Sequence, residues 1–373
     1  MPPADSTSVR DEDYGHSAFV ELSEHLQRTS APERIQQILA SLRELLSARD
    51  QVLVFRNRIE PVEEEMARGR VVLAKQTDYW IEGQSRVSHT LIEGENLAAL
   101  RFLNDEYRQG IDVVCIDPPY NTGMCGLTYS DHLLVDPGAP YPHSNWLSFM
   151  RKRLDIAHDL LSDTGVLFVN IDEHEIANLI LLCDRIFGEG NTDVLIWPKT
   201  DPIHDENRVE RPYHNIKIVH EYVIVCFKDK ARTKLNQMRM PTWADGGYSE
   251  TPRDMETILK GLGTTSSAKD ELAEVFGDRL AFQTPKPRKL IKELVRSASH
   301  RKSIVLDCFA GSGTTAIAVS DLNQEDGGER KCILITDNEN DICRKITYQR
   351  LKITRERERF REGLEYYIVE IRP

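Results

Sequence analysis

The chain lacks any apolar run approaching the ~20 residues that cross a bilayer, which excludes a helical membrane anchor from the expectation. Met1–Asp13 is polar, acidic and Pro/Ser-bearing and reads as neither a signal peptide nor a basic transit peptide, so the expected location is cytoplasmic. Its seven cysteines (115, 125, 183, 226, 308, 332, 343) form neither a CxxC pair nor a Cys/His cluster. They read as buried reduced thiols, with no metal site expected. There is no internal repeat and no long low-complexity stretch. There is no basic excess either. The formal net charge is −12, so contact with a nucleic acid would have to come from local basic faces. Basic residues cluster at Arg151–Arg153, Arg232–Arg239, Lys286–Lys302 and Arg355–Arg361; acidic ones crowd Glu63–Glu65 and Asp201–Glu210.

What is present is an alternation of short buried strands and longer helices. Met1–His16 reads as a tail. Ser17–Ala48 carries apolar residues at helical spacing, with Ser30 and Glu33 placed as a capping box. It serves as a packing lid or a partner contact. Strands are expected at His89–Glu93, Ile111–Ile116, Gly165–Ile171, Val194–Trp197, His220–Lys228, Ser303–Leu306 and Lys331–Thr336. Helices are expected at Leu97–Phe102, Trp146–Leu161, Glu175–Phe187, Arg288–Ser297, Thr314–Leu322 and Asp341–Lys352. That rhythm implies βαβ units and a doubly wound, mostly parallel α/β sheet. Residues 230–281 are polar, contain Gly246-Gly247 and Gly261–Gly263, and read as an insert.

Two loops carry chemistry. The first, Phe309-Ala310-Gly311-Ser312-Gly313-Thr314-Thr315, follows the strand ending at Leu306-Asp307 and opens a helix. Its glycines admit a ligand close to the backbone, and the helix start presents free N–H groups. A phosphate-binding loop of the NTPases needs a lysine after the glycines, and none is here. A dinucleotide site and a structural turn stay open. S-adenosylmethionine, which has no pyrophosphate to cradle, fits as well, its methionine portion lying along the turn. Asp337, after the next strand, stands where ribose hydroxyls are commonly bound, with Asn338 the second choice and a solvated turn residue the alternative.

The second loop, Asp117-Pro118-Pro119-Tyr120, ends the strand Ile111–Ile116. Proline removes donors and fixes φ, so the Asp117 carboxylate and the Pro118 carbonyl become rigid acceptors. Facing one exocyclic NH₂, two acceptors draw the nitrogen lone pair out of conjugation and stabilise the positive charge that grows on it during methyl transfer. Tyr120 offers a flat face to a base swung out of the duplex. Stacking alone is invoked for it, so loss of its hydroxyl is expected to be tolerated. Cys115 lies inside the strand, and no Pro-Cys pair supports a cysteine-based methyltransferase.

With these residues in hand, the chain resembles the β group of N6-adenine DNA methyltransferases, in which Asp-Pro-Pro-Tyr precedes Phe-x-Gly-x-Gly. The likeness extends from about Val87 to Leu351. It is greatest to modification subunits of type III restriction systems and their solitary relatives. It is carried further by Gly94-Glu95-Asn96 (where the family has Gly-Asp-Asn), Asp163–Asp172, His220-Glu221-Tyr222, and Thr284-Pro285-Lys286-Pro287. The resemblance implies a class I S-adenosylmethionine-dependent methyltransferase fold in permuted motif order. It implies S-adenosylmethionine as cofactor and DNA as partner, at the nucleoid when bound. Asp117, Pro118, Pro119 and Tyr120 are the catalytic residues it implies. The cofactor set comprises Glu95, Asn96, Asp117, Thr284, Lys286, Pro287, Asp307, Phe309, Ala310, Gly311, Ser312, Gly313, Thr314, Thr315 and Asp337. Substrate contacts fall to Tyr120 and Asn121, and to Arg232, Lys234 and Arg239 in the insert, where the family carries a larger target-recognition region. The domains implied are 1–70, an N-terminal tail and helical extension; 71–229, the catalytic half; 230–281, the insert; and 282–373, the cofactor-binding half. A homodimer and a restriction subunit are further partners it brings. Two alternatives remain: N4-cytosine methylation, where Ser is commoner at the position of Asp117, and a DNA-binding specificity subunit with a vestigial site.

Overall fold

In a computed structural model of the chain, residues 55, 57–123, 142–201, 215–244 and 247–373 are described. Phe55–Pro373 is one compact unit. The expected N-terminal helical pair, its Ser30/Glu33 cap, Cys125 and most of the acidic stretch Asp201–Glu210 lie outside the described residues.

Strand β3 (Ile111–Ile116) spells IDVVCI and is buried at all positions except Asp112. A strand apolar on both faces belongs in the middle of a parallel sheet covered by helices. It sits there in the sheet order β1-β11-β2-β10-β9-β3-β4-β6-β5. The members are β1 (Arg70–Lys75), β2 (Ser88–Glu93), β4 (Leu161–Ile171), β5 (Thr192–Pro198), β6 (His220–Phe227), β9 (Ile304–Asp307), β10 (Lys331–Thr336) and β11 (Gly363–Arg372). From β11 to β4 every neighbouring pair is parallel; β1, β6 and β5 join antiparallel at the two sides. The mostly parallel, doubly wound sheet expected from the sequence is therefore present.

The helices supply the crossovers. Helix α1 (Pro61–Met66) precedes the sheet, α2 (Asn96–Tyr107) follows β2, α3 (Pro142–Leu160) links β3 to β4, and α4 (Ile176–Phe187) follows β4. Helix α6 (Arg288–Ala298) leads into β9, and α7 (Thr314–Asp326) joins β9 to β10. Helix α8 (Tyr348–Glu358) leads into β11. From β3 the chain moves outward to β4, and from β9 it moves the other way to β10. The two strands are direct neighbours, with Val113 opposite Val305 and Val114 opposite Leu306. Ligands in open α/β sheets bind beyond the strand C-termini at such a reversal, and the two chemical loops both leave the sheet there.

Three features depart from the sequence reading. Residues 230–281 hold a two-stranded antiparallel sheet, β7 (Met238–Ala244) and β8 (Gly247–Arg253), and helix α5 (Thr265–Phe276). The region packs into the main core through Met238, Met240, Leu259 and Leu262. Its segment 257–259 covers the edge of β5: the Ile196 N–H donates to the Thr257 carbonyl at 2.8 Å, and the Leu259 N–H to the Ile196 carbonyl at 2.8 Å. The expected helix Asp341–Lys352 begins instead with a wide turn, Ile342–Thr347, and α8 runs on to Glu358. The last ten-residue strand, β11, had no counterpart in the reading, yet it sits inside the sheet between β1 and β2 with Tyr366 fully buried.

Candidate active site

A cavity of about 460 Å³ opens at the β3/β9 reversal, within the ~300–1,000 Å³ range of small-molecule sites. Of the residues expected to hold a cofactor, Glu95, Asn96, Asp117, Thr284, Lys286, Asp307, Phe309, Ala310, Gly311, Ser312, Thr314, Thr315 and Asp337 line it, as does Pro119. Gly313 is the N-cap of α7 and Pro287 that of α6; both shape the wall without being on it. Pro118 is buried, and Tyr120 and Asn121 are not among the lining residues.

The glycine loop has little freedom. Gly311 has φ +47°, and a Cβ there would meet Phe282 Cζ at 3.0 Å. Behind the loop, Arg350 of α8, 2% exposed, donates to the hydroxyls of Ser312 and Thr314, each at 2.8 Å. Arg350 is joined to Glu271 of α5 at 3.3 Å. Burial pushes the Glu271 carboxyl up to about 7 against the pull of Arg350, and lowers Arg350 to about 10 despite Glu271.

Arg153 is the most heavily used side chain of the opposite wall. It is 1% exposed and donates to Glu60 at 3.0 and 2.8 Å, to Glu95 Oε1 at 2.6 Å, and to Asn96 Oδ1 at 2.5 Å. Its guanidinium lies 3.4 Å from the centre of the Phe149 ring. Glu95 is also the N-cap of α2, accepting from the Ala98 N–H at 3.0 Å. Asn96 reaches the Cys308 carbonyl at 3.0 Å, tying α2 to the glycine loop. In the sequence Arg153 counted as part of a basic surface cluster, and here the structure corrects the reading. Arg153 serves carboxylates of the chain itself, as do Arg288 (Asp321, Glu358) and Arg296 (Glu293, Glu325). A guanidinium taken from water needs such partners to offset its desolvation.

The Asp117 loop is fixed from three sides. Asn170 of β4 donates to the Ile116 carbonyl at 3.0 Å, and Trp146 of α3 to the Pro119 carbonyl at 2.7 Å. Asn121, at φ +62°, donates to the fully buried Glu175, which also accepts from Asn178 and meets His143 Nδ1, each at 2.7 Å. Asp117 itself keeps 27% of its side chain accessible. Its two oxygens each lie 2.7 Å from Lys286 Nζ, and Oδ1 accepts the Tyr120 hydroxyl at 2.7 Å. The same hydroxyl lies 3.2 Å from Glu221 Oε2. Tyr120 therefore contributes a donor as well as a ring, which the sequence reading had set aside. Burial pushes the Asp117 carboxyl above the ordinary carboxylate range, with Lys286 pulling it back. Glu221 is held below that range by Lys286 and Lys199, which outweigh its burial.

The three basic residues of the insert stand apart from the cavity. Arg232 pairs with Asp163 at 3.2 Å and Arg239 with Glu325 at 2.7 Å, all on accessible surface; Lys234 is exposed. Exposed pairs of this kind are worth only ~0–1 kcal/mol, so they do not keep either arginine from a stronger anion. Six cysteines are buried free thiols among the described residues.

Asp307 yields a pH prediction. It accepts from Thr315 Oγ1 at 2.5 Å and the Phe309 N–H at 3.0 Å, yet burial pushes its carboxyl up to about 7. Between an ordinary value of 3.8 and about 7 the folded chain holds a proton that the unfolded chain has released. Stability therefore falls as pH climbs through that window, by up to the order of 4 kcal/mol for the whole shift. Asp307→Asn is expected to flatten this slope, so the unfolding free energy of the variant gains on the wild type between about pH 4 and 7. Denaturant titrations across that range check it; parallel slopes would contradict it.

Comparison with known proteins agrees with this geometry. A family model described as DNA methylase, of the N6/N4 methyltransferases, matches residues 111–349, from β3 to α8. The StyLTI Mod subunit of a type III restriction-modification enzyme from Salmonella typhimurium is 30% identical over 77% of this chain and 59% of its own length. The EcoPI Mod subunit of Escherichia phage P1 is 26% identical over 69% of this chain and 59% of its own length. The type II methyltransferase M.KpnI of Klebsiella pneumoniae is 26% identical over 67% and 81%. The chain thus spans about 59% of the two Mod subunits it matches. The match covers both loops of the cavity and the strands that carry them, and the chain belongs to the N6/N4 DNA methylase family.

Proposed function

We propose that this chain transfers a methyl group from S-adenosylmethionine to the exocyclic N6 amine of adenine in DNA, taking the base out of the duplex to do so. The observation that carries the reading is the shared cavity: the Asp117 loop of β3 and the glycine loop of β9 wall one space. The residues present suit the cofactor. Gly311 leaves room at the wall where a Cβ would press on Phe282. Asn170 Oδ1, buried and without a hydrogen-bond partner among the described residues, is an acceptor on the cavity wall for a ligand donor. The loop Phe309–Thr315 and Asp337 would hold the group, with Asn96 and Glu95 beside them. Bound there, S-adenosylmethionine supplies an electrophilic sulfonium methyl.

Asp117 and Pro118 then orient the amine. The Pro119 carbonyl is already engaged by Trp146, so the acceptor expected from this dipeptide is that of Pro118. An ionised Asp117 stabilises the charge that develops on the attacking nitrogen. Aspartate at this position favours adenine over N4 of cytosine. The intact loop disfavours a vestigial specificity subunit. Arg232, Lys234 and Arg239 would contact phosphates from the insert. A cytoplasmic place at the nucleoid, a second copy of the chain and a restriction subunit belong to the same proposal. The Mod subunits named above give the restriction partner its rationale.

Three outcomes are expected. S-adenosylmethionine raises the melting temperature of the wild type by mass action, and Gly311→Val removes that rise; stabilisation by a dinucleotide instead would contradict the cofactor assignment. Asp117→Ala keeps the cofactor-induced rise while labelled methyl transfer to unmethylated genomic DNA falls by at least ~10²–10³; near-normal turnover sinks its role. Neutralising Arg232, Lys234 and Arg239 lowers the slope of log affinity against log salt by about 0.9 for each phosphate that goes unneutralised; an unchanged slope and affinity would return these side chains to ordinary surface.

A further inference from the structure

Asp117 is expected to accept a substrate amine, yet two donors of the chain itself already use it. Lys286 Nζ lies 2.7 Å from each carboxylate oxygen, and the Tyr120 hydroxyl lies 2.7 Å from Oδ1. Oδ1 is thereby filled, and Oδ2 has one lone pair left. An entering amine competes with the lysine for the same edge. Charge sharpens the competition. As the nitrogen becomes positive, an ammonium on the same carboxylate repels it across a few ångströms in a partly dehydrated site.

Both donors have a second acceptor within reach. Glu221 Oε2 lies 3.2 Å from the Tyr120 hydroxyl and 3.4 Å from Lys286 Nζ. Glu221 stands on β6, two strands away from β3 in the sheet, and its side chain is 12% exposed. Its other oxygen is held by Lys199 at 3.3 Å. Glu221 is not among the residues lining the cavity, so it does not itself meet cofactor or base.

We propose that Glu221 is a positioning residue: the seat to which Lys286 and Tyr120 transfer when the substrate amine takes their place on Asp117. Resting on the methyltransferase reading, this acceptor exchange explains why a half-buried glutamate lies where both donors of Asp117 can reach it. No bond to carbon forms or breaks in it; two hydrogen-bond donors change acceptor, and the cation moves from the carboxylate that needs to stabilise a new positive charge to one that does not. The groups facing Asp117 are Lys286 from the segment before α6, Glu221 from β6, Asp307 from β9, and Tyr120 and Cys115 from its own loop and strand. Among these Lys286 is the cation, and in the resting site it pulls the Asp117 carboxyl down against its burial.

The test is a double-mutant cycle on the full chain at saturating S-adenosylmethionine. Initial rates of labelled methyl transfer to unmethylated genomic DNA are read against pH, with the cofactor-induced melting shift as a control. Glu221→Gln is expected to keep that shift and lose on the order of 10²-fold in rate, the scale of a misplaced reacting group. In a Lys286→Met background the same substitution should cost almost nothing, because the cation that needed a charged seat is gone and an amide oxygen at this position still accepts the Tyr120 hydroxyl. At subsaturating DNA, where the profile reports the chain before the amine arrives, Lys286→Met alone should move the acid limb upward by about 1–3 units, since Asp117 loses its counter-charge. An equal Glu221→Gln loss in both backgrounds, no loss at all, or a Glu221→Gln chain without a cooperative melt would overturn the proposal. A wild type that binds the cofactor but leaves genomic DNA unlabelled would instead overturn the functional reading beneath it.

Discussion

Val113 and Val114 of β3 run beside Val305 and Leu306 of β9, and the architecture of the site depends on that pairing. Parallel neighbours present their C-termini at the same edge, so two loops far apart in sequence leave the sheet together. Because the helices after β3 and β9 depart in opposite directions, a crevice opens between the loops without the sheet being interrupted. The Lys286–Asp117 pair, 169 positions apart in sequence, closes across that crevice and joins the two halves of the wall. The permuted motif order needs no change of geometry, since the sheet sets neighbours by pairing and not by order along the chain.

The second constraint is electrostatic. An acidic chain has carboxylates to spare, and the fold uses them to hold arginines inside. Arg153 binds Glu60 and Glu95, Arg288 binds Asp321 and Glu358, and Arg350 binds Glu271. Such pairs add little net stability once desolvation is counted, yet removing one partner leaves a buried charge uncompensated. Their effect here is positional. Arg153 sets Glu95 and Asn96 on one side of the cavity, and Arg350 sets Ser312 and Thr314 on the other. The consequence for DNA is that basic clusters in the sequence overstate the basic surface.

The parts of the fold that were legible in the sequence are those decided locally. The apolar runs Ile111–Ile116 and Lys331–Thr336 match β3 and β10 residue for residue, because buried parallel strands need no alternation to be recognised. Asp117–Tyr120 and Phe309–Thr315 were legible because proline and glycine state backbone geometry directly. Strand β11 was not. Glu365, Glu370 and Arg372 interrupt its apolar pattern, and what makes it a strand is pairing with β2 on one side and β1 on the other. The hairpin and helix of residues 230–281 were hidden in the same way: Met238 and Met240 of the hairpin borrow the core of the main sheet, and Leu272 of the helix packs on Phe282 and Ile342. Partner choice among charges was the least legible. Nothing around Arg153 or Glu221 announces which side chains they meet, although His220-Glu221-Tyr222 did mark the position of Glu221.

The central claim is that the cavity at the β3/β9 reversal methylates adenine in DNA. Single-molecule sequencing with modified-base detection, on DNA from cells that carry this chain and from otherwise identical cells that lack it, addresses it directly. The predicted result is N6-methyladenine within a recurring short sequence in the first DNA and its absence from the second. Methylation at N4 of cytosine, or indistinguishable DNA from the two cells despite a folded, cofactor-binding protein, would contradict it.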